Sequence, residues 1–172
     1  MPVADAVRII GIDPGLASVG WGVVDTDGAR VVYRGHGCFS TRSTDDLAFR
    51  LATIRDSLIS VIAEFTPHEA AMEALYFSRN VSSAFGVAEA RGVIRLACHD
   101  KGLYMHEYGP MDVKRAATGS GRAGKEDVQS FVRLVLGLQE VPKPDHAADA
   151  LAVAICHSQN RAIRLAAIAA GK

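Results

Sequence analysis

Val7-Arg8-Ile9-Ile10-Gly11-Ile12-Asp13-Pro14-Gly15 decides how this chain is read. Its isoleucines fall on both parities, so the strand it predicts is buried on both faces. Pro14-Gly15 then forces a turn. A carboxylate at the lip of a doubly buried strand is costly unless something partners it. The plainer reading is that Asp13 is a turn residue, a role its place before Pro-Gly also suits.

Working outward, residues 18–24 predict a second strand, Asp25-Thr26-Asp27-Gly28 a hairpin turn, and residues 30–39 a third strand. Ser43 is the expected N-cap of a helix that carries Asp45 and Asp46 in its first turn and runs to Phe65. Leu47, Leu51, Ile54, Leu58 and Ile62 share one face of it, and Pro67 stops it. Residues 68–73 form a fourth strand; coming after a helix, it should pair parallel to an earlier one. Residues 80–101 read as a helix with two apolar stripes, one of Val81, Ala84, Phe85 and Ala88, the other of Val87, Ile94, Ala97 and Cys98. Two stripes need two packing partners: a central place in the monomer supplies them, and so does a subunit interface. A fifth strand follows over 103–108, then a short helix from Pro110 to about Ala117 and a glycine-rich loop over 118–124. A helix over 125–136 comes next, and the last helix opens at Asp145 and extends towards Ala169. The fold class is α/β: a mixed five-stranded sheet, three antiparallel strands then parallel β/α units, with helices on both faces.

At 172 residues, 49% hydrophobic and 22% charged, one globular domain over 1–172 is expected. No apolar run reaches a membrane span, and Met1–Asp5 lacks a basic segment followed by an apolar one, so no signal peptide is expected. Cys38, Cys98 and Cys156 are widely spaced with no CxxC, which excludes a zinc ribbon and fits buried thiols in a reducing cytoplasm. Net charge is +0, which counts mildly against nucleic-acid binding, but a local cationic stripe suffices to hold phosphate. Between 79 and 125 the cations Arg79, Arg91, Arg95, Lys101, Lys114, Arg115, Arg122 and Lys125 outnumber the acids.

One further acid resembles Asp13 in its setting. Glu73 ends the apolar run Ala70-Ala71-Met72, and next to Asp13 on a neighbouring strand it would face a like charge, a conflict that a cation removes. His146 and Asp149 stand three apart on an alanine-rich helix, which can approach a sheet closely because its side chains are small. Asp145, after Pro144, reads first as an N-cap. A site for two divalent cations and phosphodiester hydrolysis needs such a set; carboxylates suit Mg²⁺ and the imidazole tilts it towards Mn²⁺. Gly119–Lys125 imitates a phosphate-binding P-loop, but Glu126 stands where the motif needs Ser or Thr. Arg122 and Lys125 in that loop can still hold a DNA phosphate. Tyr76 and Phe77 follow Glu73, where an exposed ring could stack on a base.

Ile10-Gly11-Ile12-Asp13-Pro14-Gly15, Met72-Glu73, Glu89-Ala90-Arg91-Gly92-Val93 and His146-Ala147-Ala148-Asp149-Ala150-Leu151-Ala152, in this order and spacing, resemble the RuvC family of Holliday-junction resolvases over nearly the whole chain. The resemblance implies a ribonuclease H-like fold, a homodimer, paired nicks in a four-way DNA junction, and the RuvAB branch-migration motor as partner. It implies catalytic metal ligands at Asp13, Glu73, His146 and Asp149, binding two Mg²⁺ or Mn²⁺ ions. Many members carry aspartate where this chain has His146. It implies DNA contacts through Tyr76, the junction-opening aromatic, and through Lys114 and Lys125; Arg79 and Arg122 join them as cations of the same stretch. The competing readings are an RNA-processing nuclease of the same fold, an inactive junction-binding module, and a kinase-like phosphate binder on the Gly-Ile-Asp-Pro-Gly turn.

Overall fold

The structure is a computed structural model and describes residues 6–75 and 81–169. Tyr76, Phe77 and Arg79 lie outside the described residues.

Three strands run first: β1 (Val7–Asp13), β2 (Ser18–Thr26) and β3 (Val31–Ser40). Helix α1 (Leu47–Phe65) leads to β4 (Glu69–Glu73), and α2 (Val81–Asp100) to β5 (Met105–Tyr108). Three helices close the chain: α3 (Pro110–Thr118), α4 (Lys125–Val135) and α5 (Asp145–Ala169). The sheet order is β3-β2-β1-β4-β5. β1 pairs antiparallel with β2, and β2 with β3. β4 joins β1 in parallel, and β5 joins β4 in parallel. The meander followed by parallel β/α units is the expected architecture.

β1 is central, which is why it is apolar on both faces. Ile10 and Ile12 point to the side covered by α1 and α2, where they meet Ile54, Leu58, Ile94 and Met72. Ile9 points to the other side, against α5. On this second side the sheet carries small residues. A β-carbon at Gly11 would collide with the Ala150 carbonyl oxygen, one at Gly20 with the His146 carbonyl oxygen, and one at Gly22 with the Leu151 side chain. Those glycines, facing the alanines of α5, let the helix lie directly on β1 and β2. α3 and α4 pack on the remaining side of α5. Ala147 through His157 are buried as a result, bar the partly exposed Asp149.

The structure corrects several local expectations. The N-cap of α1 is Asp46, not Ser43; its carboxylate accepts from the backbone N–H of Ala48 at 2.9 Å and Phe49 at 3.3 Å. Asp25 belongs to β2 rather than to a turn, and its buried carboxylate is held by Arg8 at 2.7 Å and Arg34 at 2.7 Å. Asp145 does not cap α5 with its side chain. It is the first helical residue, and its carboxylate reaches Lys125 at 3.0 Å and Gln129 at 3.3 Å. Cys98 and Cys156 are buried thiols as expected, whereas Cys38 is only half-buried, 2.8 Å from the Ser18 hydroxyl. Among the described residues no helix is long and apolar enough to cross a membrane.

Candidate active site

Strand parity places the first two acids. Ile9, Gly11 and Asp13 alternate onto the α5 side of β1, and Glu69, Ala71 and Glu73 onto the α5 side of β4. Both strands run parallel, so both acids stand at the same edge of the sheet, where β1 and β4 end. α5 starts at that edge and brings His146 and Asp149 down beside them. Three elements thus converge, and the alanines and glycines between them make the approach possible.

One ligand atom each from Asp13, His146 and Asp149 lies within 4.8 Å of the others. His146 Nδ1 is 2.6 Å from Asp13 Oδ2. Glu73 and Asp149 line one cleft of about 210 Å³ with Lys114, Lys125 and Val113. The two lysines come from α3 and α4, so the helices beyond α5 supply the cationic wall of an acidic cleft.

The electrostatics are those of a crowded set of like charges. Glu73 is pushed up to about 7, first by burial and then by the charges of Asp13 and Asp149. Burial raises Asp13 too, opposed by its hydrogen bond with His146. Asp149 is raised by burial, while Lys125 pulls it down. Each carboxyl would shed this conflict beside a dication. The donor set, carboxylates with one imidazole aimed at a common space, therefore fits divalent metal ions of the oxygen-preferring kind.

Four of the nine residues singled out from sequence, Asp13, Glu73, His146 and Asp149, are brought to one edge. Lys114 lines their cleft, half-buried. Lys125 is closer in than a phosphate contact requires: Nζ lies 3.0 Å from Asp145 and 3.5 Å from Asp149. Arg122 is exposed on the loop between α3 and α4. That loop follows a helix, α3, whose C-cap is Gly119 at φ 75°, not the buried strand a P-loop needs. Arg91, one of the cations between 79 and 125, is not available to DNA. It is 3% exposed, donates to the Glu73 carbonyl oxygen, and pairs with Glu107 at 3.0 Å. Arg95 pairs with Glu107 as well. Arg91 thereby fixes the end of β4 that presents Glu73. Its spacing carried the signal: at 91, 94 and 98 it falls on the buried stripe of α2, where an arginine needs a partner. Lys125 had no such signal, because its partners lie 20 and 24 residues on.

Residues 9–157 match the family described as crossover junction endodeoxyribonuclease RuvC. The RuvC of Heliobacterium modesticaldum is 49% identical over 148 residues, covering 86% of this chain and 91% of that protein. The RuvC of Pseudothermotoga lettingae is 43% identical over 155 residues, covering 90% and 96%. The structure of Thermus thermophilus RuvC superimposes with a TM-score of 0.85 at 35% identity, over 92% of this chain and 97% of that one. The yeast mitochondrial Holliday junction resolvase, 14% identical with a TM-score of 0.63, shares the fold alone, which is ribonuclease H-like. Matched over most of its length by profile, by sequence and by structure, this chain belongs to the RuvC family of crossover junction endodeoxyribonucleases.

Proposed function

We propose that this protein resolves four-way DNA junctions by metal-dependent hydrolysis of phosphodiesters, as a single nuclease domain. The observation that carries the reading is the convergence of Asp13, Glu73, His146 and Asp149 at one sheet edge, in a cleft walled by Lys114 and Lys125. Thermus thermophilus RuvC, 33% identical, has been solved in complex with a Holliday junction substrate, which makes a junction the substrate class to test first.

Asp13, Glu73, His146 and Asp149 would hold two divalent ions, Mg²⁺ or Mn²⁺. When bound, such ions activate water and offset charge on the leaving oxygen. Glu73 and Asp149 both line the cleft, so a phosphate bound there sits within reach of both. Lys114 neutralises that phosphate from the rim, and Lys125 exchanges its carboxylate partners for it as DNA enters. Water enters in line with the 3′ oxygen, which departs and leaves a 5′-phosphate end. Tyr76, Arg79 and Arg122 extend the DNA contact beyond the cleft, Tyr76 by stacking where the junction opens.

The working form is a homodimer, through the outer face of α2. Phe85 is 68% exposed and Leu96 56% exposed, and with Ala88 and Gly92 they make one apolar stripe along that helix. Two opposed sites then nick two strands symmetrically. The cytoplasm is the compartment and the RuvAB motor the partner that this role entails.

The test is incubation of the protein with a synthetic four-way junction, a linear duplex and an RNA–DNA hybrid, in Mg²⁺ and in Mn²⁺, with the nicks mapped. Paired nicks at symmetric positions in the junction, with the other substrates intact, are expected. Equal cleavage of the hybrid would favour an RNA-processing role, and junction binding without nicks would leave a binding module.

A further inference from the structure

The far end of the same strands holds a second cluster that nuclease action leaves unused. Glu69 opens β4, four residues before Glu73, about 13 Å away at the usual strand rise. His106 of β5 and His157 of α5 meet it there. One ligand atom of each lies within 4.8 Å of the others. His157 Nε2 is 2.7 Å from Glu69 Oε2, and the two imidazole rings lie 4.4 Å apart at 33°. His157 is fully buried, while Glu69 and His106 are partly open to solvent.

We infer that Glu69, His106 and His157 form a second cation site, for a borderline transition-metal dication of the Zn²⁺ class. Two imidazoles and one carboxylate are the donor set of open zinc sites, with a further position left to water. Around a tetrahedral ion, donors 2.1 Å from the metal stand about 3.4 Å apart. The cluster brackets that spacing, with one pair at 2.7 Å and all within 4.8 Å. Mg²⁺ is the wrong guest, since it demands oxygen ligands.

Carboxylates only accept, so in the metal-free protein His157 Nε2–H donates to Glu69, and the Tyr108 hydroxyl, 2.7 Å from Nδ1, donates to the ring. Binding needs the lone pair on Nε2. The proton then sits on Nδ1 and donates to the same hydroxyl oxygen, whose own hydrogen turns away from the ring, as the partial exposure of Tyr108 permits. His157 stays neutral throughout, and Tyr108 becomes the outer partner that orients a metal-bound imidazole. The burial of His157 favours its neutral form, as the site requires. Two cations oppose the guest: Arg161 holds Glu69 Oε1 at 2.9 Å, and Arg164 lies 3.5 Å from His106 Nδ1. Arg161 occupies Oε1 and leaves Oε2 to the metal. Arg164 is exposed and can withdraw.

The whole chain carrying Asp13→Asn and Asp149→Asn removes two carboxylates from the cleft and leaves the second cluster intact. Titrated with Co²⁺ and then displaced with Zn²⁺, this protein should take up one ion per chain, with visible absorption typical of a mixed nitrogen and oxygen site. His106→Ala in that background should weaken binding by more than about tenfold, the least expected even for losing an outer partner. Arg164→Ala should tighten it, because a competing charge leaves. No uptake, uptake indifferent to His106→Ala, or weaker binding in Arg164→Ala would each overturn the assignment.

Discussion

β4 carries a glutamate at each end, on the same face, and the two have opposite fates. Glu69 is met by His157 at 2.7 Å and Arg161 at 2.9 Å, and although burial opposes ionisation these partners hold it below the usual carboxylate range. Glu73 is met by Asp13 and Asp149, and stands at about 7. Residue type, strand and face are shared, so the difference lies in deeper burial and in like-charged neighbours at Glu73 against hydrogen-bonding partners at Glu69. A satisfied end can be part of the scaffold. An end where like charges are gathered in a half-buried cleft is stable only because the surrounding fold holds them there, and it invites a cation. The comparison separates an end whose carboxylate is paired without a metal, open to a guest only by exchange of partners, from an end that lacks a counter-charge until a cation enters.

The largest effect should follow from removing charge at the crowded end. Asp13→Asn, Glu73→Gln and Asp149→Asn should each abolish nicking of a four-way junction while mobility-shift assays show it still bound. Each substitution deletes a ligand charge and leaves the phosphate contacts. Wild-type nicking by any one of them would remove that residue from the site.

The next effect tests how the crowded end is assembled. Gly20→Ala places a methyl group against the His146 carbonyl oxygen, so α5 must lift from β2. A loss of about 1–3 kcal/mol in urea unfolding is expected, the usual cost of overpacking. Unchanged stability would mean that the seat of α5 is looser than the close approach requires.

Smaller shifts should come from the groups that tune the cleft. His146→Asp replaces a neutral ligand by a charged one, so the ratio of Mn²⁺-supported to Mg²⁺-supported nicking should fall towards one. A constant ratio would place His146 outside the ligand set. Lys114→Ala should lower the slope of log affinity against log salt by about one unit, the share of one phosphate contact. A slope equal to wild type would put the DNA path elsewhere.

Much of this was legible in the sequence, for physical reasons that particular residues show. Ile9, Ile10 and Ile12 on both parities mark a strand covered on both faces, and the meander was legible, but that β4 joins β1 and sets the order β3-β2-β1-β4-β5 came only with the structure. Asp13 and Glu73 stood out because each ends an apolar run. Pairings between distant segments left no local trace. Nothing in Asp25-Thr26-Asp27-Gly28 announces Arg8 and Arg34 as partners of a buried Asp25, so a turn was the natural reading. The grip of Lys125 on Asp145 was hidden likewise, and Asp145 looked like a cap. Ser43 lost the α1 cap to Asp46, three residues on, because several cap-competent residues crowd that stretch and only the backbone chooses among them. The Glu69 cluster joins three elements, and each of its members alone is an ordinary residue.

Equilibrium unfolding of Glu69→Gln and Glu73→Gln at pH 8, with a chelator present, tests the contrast between the two ends most directly. A carboxyl raised in the folded state stabilises below its unfolded value and costs stability as pH rises through its folded value. For Glu73 that window runs from about 4.5 to about 7. A carboxyl lowered in the folded state contributes above its unfolded value, which is the case of Glu69. Glu73→Gln should therefore stabilise the metal-free protein, by on the order of 1–3 kcal/mol, with the gain fading as pH falls towards 4.5. Glu69→Gln should destabilise it, by roughly 1–3 kcal/mol, since one amide oxygen cannot replace the two carboxylate oxygens that His157 and Arg161 share. Opposite signs are the prediction; losses of equal size in both variants would contradict it, for the two ends of β4 would then be alike.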